Sequence, residues 1–226
     1  MSRADRRRAY AMGLVVALGL VGCRRAAEAV DVDVDEVEEV ETKIPRALVI
    51  LAEGAEEAEA VIIVDVLRRA GLETVFAALG NEAVVQCSRK VRIATDGLLA
   101  NITGNFDVII LPGGAEGARR LAASEAVGER LRRQSSEGKL VAAICAAPLA
   151  FQTHGVFAGR MMTCHPSVAS RIEMYGKLER AAVVEDGNLI TSQGPGTAFV
   201  FALAVVRRVM GEPRAAEVER GLVLMK

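Results

Sequence analysis

KLVAAICAAPLAFQTHG, residues 139–155, decides how the rest of the chain is read. Leu140, Val141, Ala142, Ala143 and Ile144 form a short apolar run, the pattern of a parallel strand covered on both faces. The strand stops at Cys145, and residues 146–152 have helical composition, with Pro148 tolerable only in a first turn, where its missing N–H costs nothing. His154 and Gly155 supply a helix stop. Cys145 therefore falls between the carboxyl end of a strand and the amino end of a helix, where open α/β sheets bind their ligands. Strand–Cys–helix is also the geometry of a nucleophile elbow. First-turn amides there favour a thiolate, although a buried, inert structural cysteine has the same local signature.

Outward from this stretch, strands alternate with helices. Apolar runs predict strands over 47–52, 74–79 and 107–111, and shorter ones over 84–87 and 91–94. Helical patterning covers 56–70, closed by Gly71, then 118–123, 125–135, 197–210 and a last helix from Arg214. Asp186-Gly187 is a strong turn signal joining strands at 181–185 and 188–192. There is no internal repeat. Such alternation predicts one α/β domain over 46–226.

Composition narrows the function. The chain has 226 residues, no Trp, only two Tyr and six Phe, and 28 basic against 29 acidic residues. It thus has neither base-stacking aromatics nor the global charge that draws a protein to nucleic acid or membrane. Four cysteines (23, 87, 145, 164) show no zinc-ligand spacing, and a chain this long and apolar needs no disulfide framework. Residues 1–45 read as separate from the domain. Arg3, Arg6, Arg7 and Arg8 precede an uncharged run over 9–22 that is short for a membrane span, resembles a targeting leader, and ends in a lipoprotein-like Leu20-Val21-Gly22-Cys23 box. An organelle leader is the rival reading, and a disordered extension a third. DVDVDEVEEVE, residues 31–41, has seven acids in eleven positions and is expected to be a solvated tether.

Three further pieces gather around Cys145. The first strand runs into AEGAEEAEA, which places Glu56, Glu57 and Glu59 at a helix start, where carboxylates complement the dipole. DVIILPGG ends in Gly113 and Gly114, which let backbone approach a ligand and aim N–H groups at an anion; with no Lys following, they fit an oxyanion site better than a phosphate loop. In TCHPS, residues 163–167, His165 precedes a proline, which holds it extended, and it is a candidate base toward the thiol. His154 is read as structural.

These blocks resemble the DJ-1/PfpI (ThiJ) superfamily, in its protein deglycase branch, across essentially all of residues 46–226. The matching segments are RALVILAEGAEEAEAVIIVDVLRRAG, VQCSR, DVIILPGG, AAICAAP, THG, CHP, DGNLITSQGPGTAFVFAL and LVLMK. The resemblance implies a flavodoxin-like three-layer sandwich with a mostly parallel sheet, of the class I glutamine amidotransferase-like kind. It also implies a homodimer, with Asp65, Cys87 and Arg89 as candidate interface residues, and no metal or other cofactor. It selects Cys145 as nucleophile, Glu59 as the neighbouring carboxyl and His165 as the nearby histidine. Gly113, Gly114 and Ala146 become candidate oxyanion donors, and Ser192 lies at the pocket rim. A carboxylate against a thiolate is a like-charge pair, so one proton must stay; the expectation is that Glu59 keeps it and sulfur is charged.

The activity implied is attack on small aldehydes. Methylglyoxal and glyoxal, free or as early adducts on proteins and nucleotides, would be the substrates of a glyoxalase or deglycase that also protects against oxidative stress. A redox-sensing chaperone without turnover is the rival, and a PfpI-type cysteine protease the more distant one. The family default is cytoplasmic, with a mitochondrial or secretory/lipoprotein route open through the leader, which is also the only expected tie to a membrane. Two departures stand out: Gln193 replaces the arginine of the family's TSRGPGT block, and Ala94 replaces a peripheral cysteine. Cys164 is an extra thiol that could resolve an oxidised Cys145.

Overall fold

The computed structural model describes residues 44–224. The leader and acidic tether lie outside the described residues except for Ile44 and Pro45. Eleven strands are present among the described residues: β1 (Arg46–Leu51), β2 (Glu73–Ala78), β3 (Val84–Gln86), β4 (Arg92–Ala94), β5 (Gly97–Leu98), β6 (Val108–Leu111), β7 (Leu140–Ile144), β8 (Met161–Met162), β9 (Lys177–Leu178), β10 (Val183–Asp186) and β11 (Leu189–Ser192). The helices are α1 (Glu57–Arg69), α2 (Ala115–Ala123), α3 (Glu125–Ser136), α4 (Leu149–His154), α5 (Ala169–Glu173), α6 (Ala198–Met210) and α7 (Glu212–Leu222).

Seven strands make the central sheet in the order β10-β11-β7-β6-β1-β2-β5. All neighbours run parallel except the β10–β11 hairpin, which turns through Gly187 and Asn188, one residue beyond the predicted Asp186-Gly187, because Asp186 still pairs with Leu189. Because side chains alternate along a strand, each strand feeds two cores. Ala47, Val49 and Leu51 of β1 pack with α1, α6 and α7 on one face, while Leu48 and Ile50 pack with α2 to α5 on the other. β6 divides likewise, Val108 and Ile110 against Ile109 and Leu111. The result is a three-layer, flavodoxin-like sandwich.

This order positions the site. From β1 the chain moves to β2 on one side and later to β6 on the other, so the crevice above the carboxyl ends of β1, β6 and β7 is where the winding reverses. The long strands fall within a residue or two of their expected places. The helix after Cys145 does not: it starts at Leu149 rather than Ala146 and has six residues. Ala146 and Ala147 form a turn, and Pro148 caps the helix. Gly155 closes it in the left-handed region, with φ 69°.

Candidate active site

Cys145 follows β7 directly, with φ 64°. A non-glycine residue is uncommon in this region, and such strain persists where surrounding structure holds it. Here the Cys145 N–H donates to the Ser192 carbonyl (2.9 Å), and its own carbonyl accepts from His165 N–H (2.9 Å). Both flanking bonds lock the turn and aim sulfur over the sheet end. Ser192 thus acts through its backbone. Its side chain, expected at the pocket rim, is fully buried, and its hydroxyl meets Ala182 O and Thr197 Oγ1, each at 2.7 Å.

Glu59 lies on the first turns of α1 and has no exposed surface. Its Oε2 accepts from the Gly113 N–H at 2.8 Å, while Oε1 has no hydrogen-bond partner. Gly113 therefore holds the carboxyl instead of serving an oxyanion. It must also be glycine for want of room: a Cβ there would sit 2.5 Å from Cys145 Cβ, 2.7 Å from Ile144 O and 2.9 Å from Glu59 Oε2. The backbone N–H groups of Gly114 and Ala146 are the amides that favour a charged Cys145 sulfur. Gly114 is the N-cap of α2, at φ 88°, a conformation that costs glycine nothing.

Electrostatics departs from the expected charge state. Burial pushes the Glu59 carboxyl up to about 7, against the pull of the Gly113 N–H and the thiol, with the Glu56 charge adding to the rise. Glu59 thus holds a proton well above the ordinary carboxylate range, as expected. The thiol moves the opposite way from expectation. Burial and the Glu59 charge push Cys145 up to about 12, outweighing the Gly114 and Ala146 amides. The physical reason is local: the helix that follows is short and starts four residues on, so only two amides oppose the desolvation of sulfur. The two groups titrate as a pair. One proton stays between them through neutral pH, and the doubly ionised state is excluded.

The other carboxylates have structural work. Glu57 accepts from Arg89 N–H (2.8 Å) and Ser88 Oγ–H (2.7 Å), tying α1 to the β3–β4 hairpin. Glu56 Oε2 lies 3.1 Å from the same hydroxyl. Asp65 pairs with Arg69 at 2.7 Å on the outer side of α1, and Cys87 is buried where the loop of the β3–β4 hairpin begins. Cys164 packs in the apolar cluster on the opposite face of the sheet from Cys145's cluster, a poor placement for a resolving thiol. His154 is buried, and its Nε2–H donates to Leu121 O (3.1 Å), a structural role.

A cleft of about 1090 Å³ opens above sulfur, with Ser88, Gly114, Cys145, Ala146, His165 and Pro195 among its lining residues. Glu59 lies behind it, under the thiol. His165 Nδ1 is held by Ser167, through Oγ at 2.8 Å and N–H at 3.2 Å. Ser167 was not singled out from sequence, and only its position two residues after His165 could have drawn attention. Among the described residues no group of three or more Asp, Glu, His and Cys could hold a metal ion, and no helix is long and apolar enough to cross a membrane.

A strand-end thiol in a strained turn, backed by a buried proton-holding carboxyl on an open α/β sheet, defines a cysteine-centred protein of the flavodoxin-like class. Residues 45–208 match the DJ-1/PfpI family, and the chain belongs to it. It is 49% identical over 184 residues to the Parkinson disease protein 7 homolog of Danio rerio, covering 79% of this chain and 97% of that one. The crystal structure of Drosophila melanogaster DJ-1beta superposes with a TM-score of 0.80 at 45% identity, covering 81% of this chain and all of that one. A Caenorhabditis elegans relative named glutathione-independent glyoxalase DJR-1.2 is 39% identical over 184 residues, 80% of this chain and 97% of its own.

Proposed function

We propose that the protein is a cysteine-dependent glyoxalase that acts on methylglyoxal and glyoxal without glutathione, and on their early adducts as a deglycase. The observation that carries this reading is the Cys145–Glu59 pair: a largely buried thiol that lines the cleft, with a buried carboxyl held near neutrality beside it and two amides that favour its charged form. A carboxyl brought near neutrality is the base a resting thiol needs.

Glu59 takes the thiol proton as sulfur bonds to the aldehyde carbon, then passes it to the new alkoxide, giving a hemithioacetal. The ionised carboxyl next removes the hydrogen from that carbon and delivers it to the neighbouring carbonyl carbon, through an enediol. This converts the hemithioacetal into a thioester of lactate. Water adds to the thioester, the Gly114 and Ala146 N–H groups stabilise the oxyanion, and the C–S bond breaks to restore the thiol. The sum is methylglyoxal plus water giving lactic acid, with no external oxidant or reductant. The cleft is much larger than methylglyoxal, which leaves room for the amine or thiol half of an adduct.

Incubating the protein with methylglyoxal and following lactate tests this. Turnover should be lost in Cys145→Ser. A wild-type protein that suppresses aggregation of a client yet forms no lactate would instead support the redox-sensing chaperone.

A further inference from the structure

The sequence makes His165 a candidate base toward the thiol, and its surroundings in the fold speak against that role. Ser167 N–H donates to Nδ1 at 3.2 Å, closing the short turn at residues 166–168 in which His165 is the capping residue. A backbone N–H can only donate, so Nδ1 carries a lone pair there. Ser167 Oγ, 2.8 Å from the same nitrogen, must also turn its hydrogen toward it. The proton of the neutral ring is then on Nε2. Nε2 has no hydrogen-bond partner among the described residues, and both His165 and Ser167 line the cleft over Cys145.

We infer that Ser167 is a positioning residue that locks the His165 proton on Nε2, so that His165 donates to the second oxygen of a 1,2-dicarbonyl substrate instead of accepting the thiol proton. This rests on the glyoxalase reading above and supplies what that sequence of steps lacks. When Glu59 removes hydrogen from the thiol-bearing carbon, electrons move onto the neighbouring carbonyl oxygen. His165 Nε2–H protonates that oxygen to complete the enediol. When the second carbon is reprotonated, the hydroxyl on the thiol-bearing carbon returns its proton to Nε2 as the thioester C=O forms. No proton is gained or lost. A substrate with no second carbonyl offers Nε2–H no developing charge, so simple aldehydes would stop at the hemithioacetal.

The chain has only two histidines, so ¹⁵N imidazole spectra are simple, with His154→Gln assigning the second set. Wild type is expected to show a bare Nδ1 and a protonated Nε2 at His165. Ser167→Ala should populate the other tautomer and lower kcat for methylglyoxal about 3- to 10-fold, the scale of one neutral hydrogen bond. The rate of Cys145 alkylation by iodoacetamide should not change, and Ser167→Thr should restore both spectrum and kcat. A wild-type proton on Nδ1, an unchanged spectrum or an unchanged kcat in Ser167→Ala, or alkylation slowed along with turnover would each overturn the inference. Absence of lactate from wild type would sink the glyoxalase reading instead, while the wild-type spectrum still decides the tautomer.

Discussion

At the scale of single residues, Glu59 links activity to stability. Its carboxyl titrates near 4.5 when exposed and at about 7 in the folded chain. Between those values the folded state keeps a proton that the unfolded state has released, so stability falls as pH rises through that window and stays lower above it. At roughly 1.4 kcal/mol per pH unit, the separation amounts to about 3 kcal/mol. Glu59→Gln, neutral at every pH, should therefore melt above wild type at pH 8, by about 5–10 °C, with the gap closing near pH 4.5. The same substitution removes the base and should lower kcat by about 10²–10⁴-fold. Wild-type activity should rise with pH through about 7, as the pair goes from two protons to one. Thermal melts at the two pH values and a pH–rate profile read these outcomes. A Gln variant less stable than wild type at pH 8 would show that the buried carboxylate is not the strained group described here. The strand end at Cys145 and the helix start carrying Glu56, Glu57 and Glu59 were legible because both are local patterns, whereas the choice of Glu59 among the three rests on the family resemblance. The charge on sulfur could not: it depends on how many amides face it and how deeply it is buried, and both follow from a turn three residues long.

At the scale of elements, α3 and α4 meet where a small residue faces a ring. A Cβ on Gly128 would lie 2.4 Å from His154 Nδ1 and 2.9 Å from its Cε1. His154 cannot retreat without giving up its bond to Leu121 O, which ties α4 to α2. Gly128→Ala should cost about 1–3 kcal/mol by overpacking, even though alanine is intrinsically the better helix former by about 1 kcal/mol. With His154→Ala the clash disappears, so in that background Gly128→Ala should be neutral or stabilising. Urea denaturation of the two singles and the double reads the coupling, and additive effects would show that the ring moves freely. This contact also marks what sequence patterns carry. β6 and β7 were legible because buried parallel strands are apolar throughout, and the β10–β11 hairpin because Asp-Gly fits few other turns. β5, β8 and β9 are two residues each, too short for any periodicity. Gly128 reads as a flaw in its helix until the ring across from it is known.

At the scale of the whole molecule, the question is what covers the outer side of α1 and α6. These helices pack together on one face of the sheet, yet Val61 and Val200 remain 51% and 46% exposed. Asp65 follows Val61 by one helical turn, and the hairpin carrying Arg89 is bound to the start of α1 through Glu57. The resemblance to the DJ-1/PfpI family places Asp65, Cys87 and Arg89 in a homodimer interface, and we propose that this surface forms it. A stable interface needs an apolar centre within a polar rim, at about 800 Å² per partner; the valines supply the first, and Asp65 and Arg89 the second. Burying a charge at that centre with no partner is costly. Val61→Glu should therefore shift sedimentation from dimer to monomer at micromolar concentration, while a glutamate at the exposed Met174, beside α5 on the opposite face of the sheet, should not. Because Glu57, Ser88 and Arg89 join this surface to the wall of the Cys145 cleft, the monomeric variant should also lose part of its lactate production. A wild-type chain that sediments as a monomer at tens of micromolar would leave the two valines as ordinary surface residues and cut the link between assembly and activity.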